Sequence, residues 1–360
     1  MEKSINVSDY TANMAVPQTG AIQRAIDGCG AGDTLVFPAG NYTSGKLTLR
    51  SGLKIRFEEG AVLCGSADYR DYGDGGWTDG FITGYGLRDI TIEGKGLLDG
   101  VDCPNPGGEE GFRGPHLFYF EDCENLRFDG YTVQNAANYA HMLVRCRDMA
   151  FGGVTVLAGH DGIHMQGCER AAIEGCVFRT GDDCIAGSDN AAISVKDCEI
   201  NTSCNGFRIG SRGLRVKNCA FYGPGKYMHR VSGRTNMLAA LIYFSPKERG
   251  IELVGDDWLI SDCTIDNVDY LFYYDFSGTD PWQNGKPLHD VSFEGIRATG
   301  VRYPIYCCGD ADSALKLTLK NIDFSFKEEI GQAPFLRINN FDRLTVSGLA
   351  LGGKNALEIH

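Results

Sequence analysis

Two aspartates stand side by side in RTGDDCIAG, Arg179 to Gly187. Asp182 and Asp183 follow a glycine and precede the apolar run Cys184-Ile185-Ala186. The flank reads as buried strand, a poor place for two carboxylates unless a specific site holds them. Close carboxylates raise each other's pKa, so one can keep a proton near neutral pH while its neighbour is ionised. A proton donor beside an ionised carboxylate is what glycosidic bond cleavage requires. Two other readings fit the same residues: a turn in which the aspartates bond their own backbone, and a calcium site built from Asp and Asn oxygens.

Which groups join the pair depends on how the chain stacks. Segments starting at Cys123, Cys146, Cys168, Asn190 and Ser211 recur at steps of 23, 22, 22 and 21 residues. In each, apolar residues stand three and five places on: Leu126/Phe128, Met149/Phe151, Ala171/Ile173, Ile193/Val195 and Leu214/Val216. Ten places on come Val133, Val156, Phe178, Ile200 and Phe221, and eight places on the last three segments carry Cys176, Cys198 and Cys219. Alternation with period two predicts strands. A fixed period near 22, with Gly or Asn at the corners, predicts one solenoid coil per segment, with equivalent residues stacked about 4.8 Å apart. The expected fold is therefore an all-β parallel β-helix. The cysteine columns are expected to be packing residues, not metal ligands or disulfides, since no zinc-type CxxC pair occurs.

This register predicts the site. Fifteen places from each start stand Asn138, Asp161, Asp183, Asn205 and Lys226; the preceding column is Ala137, His160, Asp182, Cys204 and Gly225. Asp161 and Asp183 thus fall on adjacent coils with Asp182 beside them, flanked by His160 and Asn205. Three places further on, His141, His164, Ala186, Arg208 and His229 form a predicted outward column, while Ile163, Ile185, Phe207 and Met228 are predicted to point inward. Clustered carboxylates on a histidine-rich stripe read as a cleft.

The elements expected to support it are one domain over residues 1–360, with coils over about 30–355. Further strands are expected near 90–92, 258–265, 291–296, 317–324 and 344–351. Stretches 99–115 and 223–257 read as long loops over the cleft. A short amphipathic helix at about 19–28, N-capped by Thr19, is expected to cover the first coil. Tyr139, Tyr227, Trp77 and Tyr273 are candidates for sugar stacking, with packing the more ordinary role.

The net charge is −13, without basic blocks. That argues against nucleic-acid and anionic-membrane partners, and it means that a polyuronate would need a local basic patch. No run of about 18 apolar residues suggests a membrane span. MEKSINVSDYTANM lacks an apolar leader and the chain holds 14 cysteines, so a reducing cytoplasm is expected, or secretion if a leader was removed.

Several longer motifs carry a resemblance. They are TGAIQRAIDGCGAGDTLVFPAGNYTSGKLTLRSGLKIRFEEGAVLCGS near the start, ITIEGKGLLDG at 90–100, HDGIHMQGCERAAIEGCVFRTGDDCIAGSD, and NGFRIGS at 205–211. Over about Thr19 to Phe324 the chain resembles the polygalacturonases, glycoside hydrolase family 28, of the pectin-lyase-like β-helix superfamily. The resemblance implies a right-handed parallel β-helix and an inverting hydrolase of pectin-type polysaccharide or oligosaccharide; no cofactor and no metal are expected. It implies that Asp182 is the general acid and that Asp161 and Asp183 activate water. The family's Asn-Thr-Asp appears as Gly159-His160-Asp161, the histidine of its Gly-His-Gly as Asn205, and its Arg-Ile-Lys most nearly as Arg230-Val231-Ser232. Substrate binding is accordingly expected from His160, His164, Asn205, Arg208, His229 and Arg230, with specificity moved away from plain polygalacturonan. The alternatives are a non-catalytic carbohydrate-binding β-helix and a lyase, for which only Lys226 and Arg208 offer a base.

Overall fold

The computed structural model describes residues 3–11, 17–330, 333–352 and 354–355. The chain is all-β, a right-handed parallel β-helix whose single described α-helix is Thr19–Gly28. It falls into two compact units. The first holds Met1–His164 and Ala171–Phe178, the second Met165–Arg170 and Arg179–His360.

In the first unit the predicted columns stack as parallel pairs: Leu126 on Met149, Phe128 on Phe151 and Val133 on Val156. All six are buried, and the Phe128 and Phe151 rings stack at 4.5 Å. Each such aromatic buried in a column contributes about 1.5–3 kcal/mol. The second unit repeats the pattern, with Asn190 on Ser211, Ile193 on Leu214, Val195 on Val216 and Ile200 on Phe221. It continues through the buried Leu214, Trp258, Val291 and Leu317 to the half-buried Leu344, which stand in one column. The later strands are thus where alternation placed them.

The corners explain two features of composition. Many corner residues have positive φ, and Asp or Asn occupies most non-glycine cases, among them Asp122, Asn125, Asp148, Asp197 and Asn218. Cysteine recurs at the corner because its thiol can bond locally: Cys123, Cys198, Cys219 and Cys263 each donate Sγ–H to the carbonyl two residues earlier, at 3.1–3.3 Å. All 14 cysteines are thiols and 13 are buried, as expected of packing residues. Gly187 sits at φ +118°, and a Cβ there would lie 1.7 Å from the Met165 carbonyl oxygen, so only glycine fits that crossing.

The helix lies against strands Gly40–Ser44 and Leu47–Thr48, burying Ile22, Ala25 and Ile26. Thr19 is not its N-cap. Gln18 takes that position without a side-chain capping bond, and the Thr19 hydroxyl instead accepts the Gly45 N–H at 2.7 Å. No helix among the described residues is long and apolar enough to cross a membrane.

Three expectations are corrected. Residues 223–257 are not one loop: strand Met237–Tyr243 runs through them and completes a coil, with Leu241 beside Phe207 and Ile242 beside Arg208. The next members of the Asn205 and Arg208 columns are therefore Ala239 and Ile242, not Lys226 and His229. Met228 does not enter the interior and is 55% exposed. A 21-residue count carried straight through an inserted loop assigned these residues to a strand they precede. The 99–115 stretch, past the end of strand Leu97–Asp99, is a loop with only a 3-10 turn at Glu109–Gly111.

His141 is the third correction. It was expected on the outward column, but it is fully buried beside Phe118, with the rings 4.8 Å apart. Its backbone N–H donates to the Gly162 carbonyl, which aligns it with the inward Ile163 and not with His164. A single-residue difference in corner length flips a strand's faces. The Nδ1–H of His141 donates to the Gly162 carbonyl at 3.2 Å and its Nε2 accepts from the Tyr131 hydroxyl at 2.9 Å.

Burial pushes the His141 and His116 imidazoles down to about 3. A histidine whose folded pKa is depressed supports the fold above about pH 6.5 and withdraws that support as pH falls towards its folded value. Stability against thermal unfolding should therefore fall by several kcal/mol between about pH 6.5 and 4. His141→Leu should flatten that slope, and an unchanged slope would remove His141 from the account.

Candidate active site

The predicted residues fall into two groups, one in each unit. In the first, Asp161 and His164 are both buried and bond directly: His164 Nδ1–H donates to Asp161 Oδ2 at 2.8 Å. The His164 ring lies parallel to Tyr139 at 4.6 Å, so the bond holds the carboxylate in one orientation. His160 is buried, and its ring stacks at 5.8 Å on Phe112 from the 99–115 loop. That loop also brings Arg113, which is buried. Its Nε donates to Glu110 at 2.7 Å, Nη1 to Asn138 Oδ1 at 3.4 Å, and its guanidinium lies over Tyr139 at 5.6 Å. Tyr139 is thus a packing residue, while Trp77, edge-on to it at 5.6 Å, is 43% exposed.

The second group centres on the aspartate pair, which sits between strands Val177–Thr180 and Ile185–Lys196. The turn is fixed from below: the hydroxyls of Thr180 (2.7 Å) and Thr202 both donate to the Asp182 carbonyl. The Asp183 N–H donates back to Asp182 Oδ1 at 3.1 Å, and carboxylate oxygens of the two come within 4.8 Å. Their environments differ. Asp183 is fully buried and carries three bonds: Oδ1 accepts the Asn205 side-chain amide at 2.8 Å and the Asn205 N–H at 3.2 Å, and Oδ2 accepts Arg208 Nε at 2.5 Å. Asp182 keeps 13% of its side chain exposed and faces His229 Nε2 at 3.6 Å.

These contacts say why an apolar strand tolerates the pair. Burial pushes the Asp183 carboxyl up from its ordinary value and the charge of Asp182 adds to this, while Arg208 and Asn205 favour the ionised form. The Arg208 guanidinium itself lies over Phe244 at 4.2 Å, with Trp282 at 5.5 Å. His229 Nδ1 accepts the Ser232 N–H at 3.2 Å, so a neutral ring carries its proton on Nε2, facing Asp182. Arg230 follows in the same loop and is half-buried. Asp182, Cys204 and His229 also place an oxygen, a sulfur and a ring nitrogen within 4.8 Å of one another. Burial and the two aspartates push the Cys204 thiol well above its ordinary value.

Phe112, Arg113, Phe244 and Trp282 were not singled out from the sequence. The first two lie in a stretch marked as a loop over the cleft. The others follow the last regular segment, where no period points to them.

The sequence pattern of the glycosyl hydrolases family 28 matches residues 29–222. The chain belongs to this family. The matched stretch includes Asp161, Asp182, Asp183, Asn205 and Arg208; His229 and Arg230 lie beyond it. Family 28 relatives include an exopolygalacturonase of Platanus acerifolia, 29% identical over 91% of this chain and 92% of its own. A probable endo-xylogalacturonan hydrolase A of Neosartorya fischeri is 25% identical over 91% of this chain and 86% of its own. Among solved structures, a Thermotoga maritima exopolygalacturonase superposes with a TM-score of 0.70, covering 97% of this chain and 92% of its own at 15% identity, a likeness of fold. As a member of family 28 the protein is a glycoside hydrolase.

Proposed function

We propose that this family 28 hydrolase cuts a galacturonate-containing, pectin-type chain with inversion. Asp182 gives its proton to the leaving glycosidic oxygen as the C1–O bond breaks. A water attacks C1 from the opposite face, and Asp161 with Asp183 takes its proton. His160, His164, Asn205, Arg208, His229 and Arg230 orient the sugar and these carboxylates.

The contrast within the aspartate pair carries this reading. Asp183 is sealed and held by a guanidinium and an amide, an environment for a fixed base. Asp182 keeps access to solvent beside a ring N–H, an environment for a group that must meet substrate. The grouping with Asp161 is supported by the 22-residue register. The substrate class is supported by the relatives, whose names are exopolygalacturonase and endo-xylogalacturonan hydrolase. Charge supports it too. The loop Gly223 to Asn236 carries Lys226, His229, Arg230 and Arg234 and no acidic residue, a basic patch on a chain of net charge −13.

The test is product analysis. Oligogalacturonate, xylogalacturonan and neutral galactan fragments are incubated with the protein and the products read by mass spectrometry. Proton NMR of the first product reports its anomer. Hydrolysis of a uronate substrate with inverted configuration is expected. Release from neutral galactan alone would overturn the substrate class, and a product lighter by one water would indicate elimination.

A further inference from the structure

We propose that Asp182, Cys204 and His229 form a binding site for zinc or another borderline divalent ion, and that the bound ion shuts off hydrolysis. The inhibition rests on the reading of Asp182 as the general acid; the binding does not. A carboxylate oxygen of Asp182, the Cys204 sulfur and a His229 ring nitrogen lie within 4.8 Å of one another, and all three residues are buried. Bonds of about 2.0–2.3 Å in a tetrahedral zinc site put the donors about 3.3–3.6 Å apart. His229 Nε2 stands 3.6 Å from Asp182 Oδ1, so this edge already has chelating length. Side-chain rotation by about an ångström closes the other two edges. One oxygen, one sulfur and one ring nitrogen suit zinc, cadmium or cobalt; calcium and magnesium take oxygen donors. The Asp182 and His229 side chains are 13% and 11% exposed, which gives an ion its way in.

The backbone holds each donor in place. Asp182 and Cys204 are 22 residues apart, one coil of the register. Thr202 joins them: its hydroxyl accepts the Cys204 N–H at 2.9 Å and donates to the Asp182 carbonyl. His229 heads a tight turn, its N–H donating to the Arg234 carbonyl at 3.0 Å and its carbonyl accepting the Gly233 N–H at 2.8 Å. The groups behind the donors also suit an ion. The Asn205 amide donates to Cys204 Sγ at 3.4 Å, a bond that favours a thiolate. Oδ1 of the same amide takes no hydrogen bond among the described residues, although Asn205 is only 3% exposed. A water ligand on an ion beside Cys204 gives that oxygen a partner. The Ser232 hydroxyl lies 2.6 Å from His229 Nδ1. When Nε2 gives its lone pair to the ion, the ring proton moves to Nδ1 and this hydroxyl accepts it. The exchange forfeits the bond from the Ser232 N–H, so the affinity should be below that of a dedicated structural zinc site. On binding, the Cys204 thiol proton leaves to solvent, and thiolate and carboxylate together offset the two charges of the ion. Asp182, committed to the ion, then has no proton to give.

Two measurements test this. In the first, calorimetry follows zinc chloride and calcium chloride binding to wild type, Cys204→Ser and His229→Gln, and absorbance follows cobalt(II). Wild type should take one zinc and no calcium at this site, and cobalt should give a sulfur-to-metal charge-transfer band. Zinc should bind roughly 100-fold more weakly to either variant, more than the loss of an outer partner costs, and the band should vanish from Cys204→Ser. His229→Gln changes a loop residue, so it reports on the site even if Cys204→Ser folds poorly. In the second, zinc is titrated into the hydrolysis of pectic oligosaccharides. Zinc should stop wild type, a chelator should restore it, and Cys204→Ser should hydrolyse at the wild-type rate and resist zinc. A cobalt–thiolate band that persists in Cys204→Ser, or equal zinc affinity in all three proteins, would overturn the site. A wild type that binds zinc through Cys204 and His229 but cuts no pectic substrate would sink the proposed reaction and leave the site standing. Full activity with zinc bound would overturn the inhibition.

Discussion

Asp182→Asn is expected to lower kcat roughly 10²- to 10⁴-fold, the usual contribution of a positioned general acid, with little change in KM. The replacement is nearly isosteric. An asparagine oxygen can still accept the Asp183 N–H, and the Asp182 carbonyl keeps its bonds from Thr180 and Thr202. The variant should therefore fold and melt within about 1 kcal/mol of wild type. A second signature separates acid catalysis from mere positioning. Substrates whose leaving group needs no protonation, such as aryl glycosides of acidic phenols, should lose far less rate, and the alkaline limb of the pH profile should flatten. A variant that cuts pectic oligosaccharides at the wild-type rate would remove Asp182 from the acid role.

Arg208→Met should harm both stability and the pH profile. The long apolar side chain can keep packing on Phe244 and Trp282, but Asp183 loses the cation that offsets its burial. Breaking a buried pair from one side typically costs 3–5 kcal/mol, so a loss of about 3 kcal/mol is expected for this slightly exposed arginine. The sign with pH follows from which form Arg208 holds. It favours ionised Asp183, so its removal raises the folded pKa of Asp183 further. The stability deficit should be largest at neutral and higher pH, where Asp183 must be charged, and should narrow in acid, where it is protonated. If Asp183 serves as a base, the acid limb of kcat/KM should also move to higher pH. Denaturant melts at two pH values together with a pH–rate profile measure both. A deficit independent of pH would show that Arg208 acts through packing alone.

Short-range pattern made much of this legible in advance. Alternation named the strands because a half-buried pleat allows no other spacing of apolar residues. The period near 22 named the coil, and interior columns such as Phe128–Phe151 and Val195–Val216 are paired as counted. The aspartate pair stood out because two carboxylates in an apolar strand need a reason to be there. The count failed where a corner changed length. One residue turned His141 from the surface to the core, and an inserted loop moved Lys226, Met228 and His229 off the columns assigned to them.

The sequence by itself determined the coil, its interior and which acids were candidates, since those follow from periodicity and residue type. Only the tertiary structure decided what each acid touches. Arg208 and Asn205 on Asp183, His164 on Asp161 and His229 near Asp182 are contacts between residues as much as 47 positions apart. Such contacts depend on loop lengths and rotamers that no repeat encodes. The same holds for the partners of Arg208. Phe244 follows it by one coil, but Trp282 comes from an irregular loop, and only folding sets that ring within reach of the guanidinium that neutralises a buried charge.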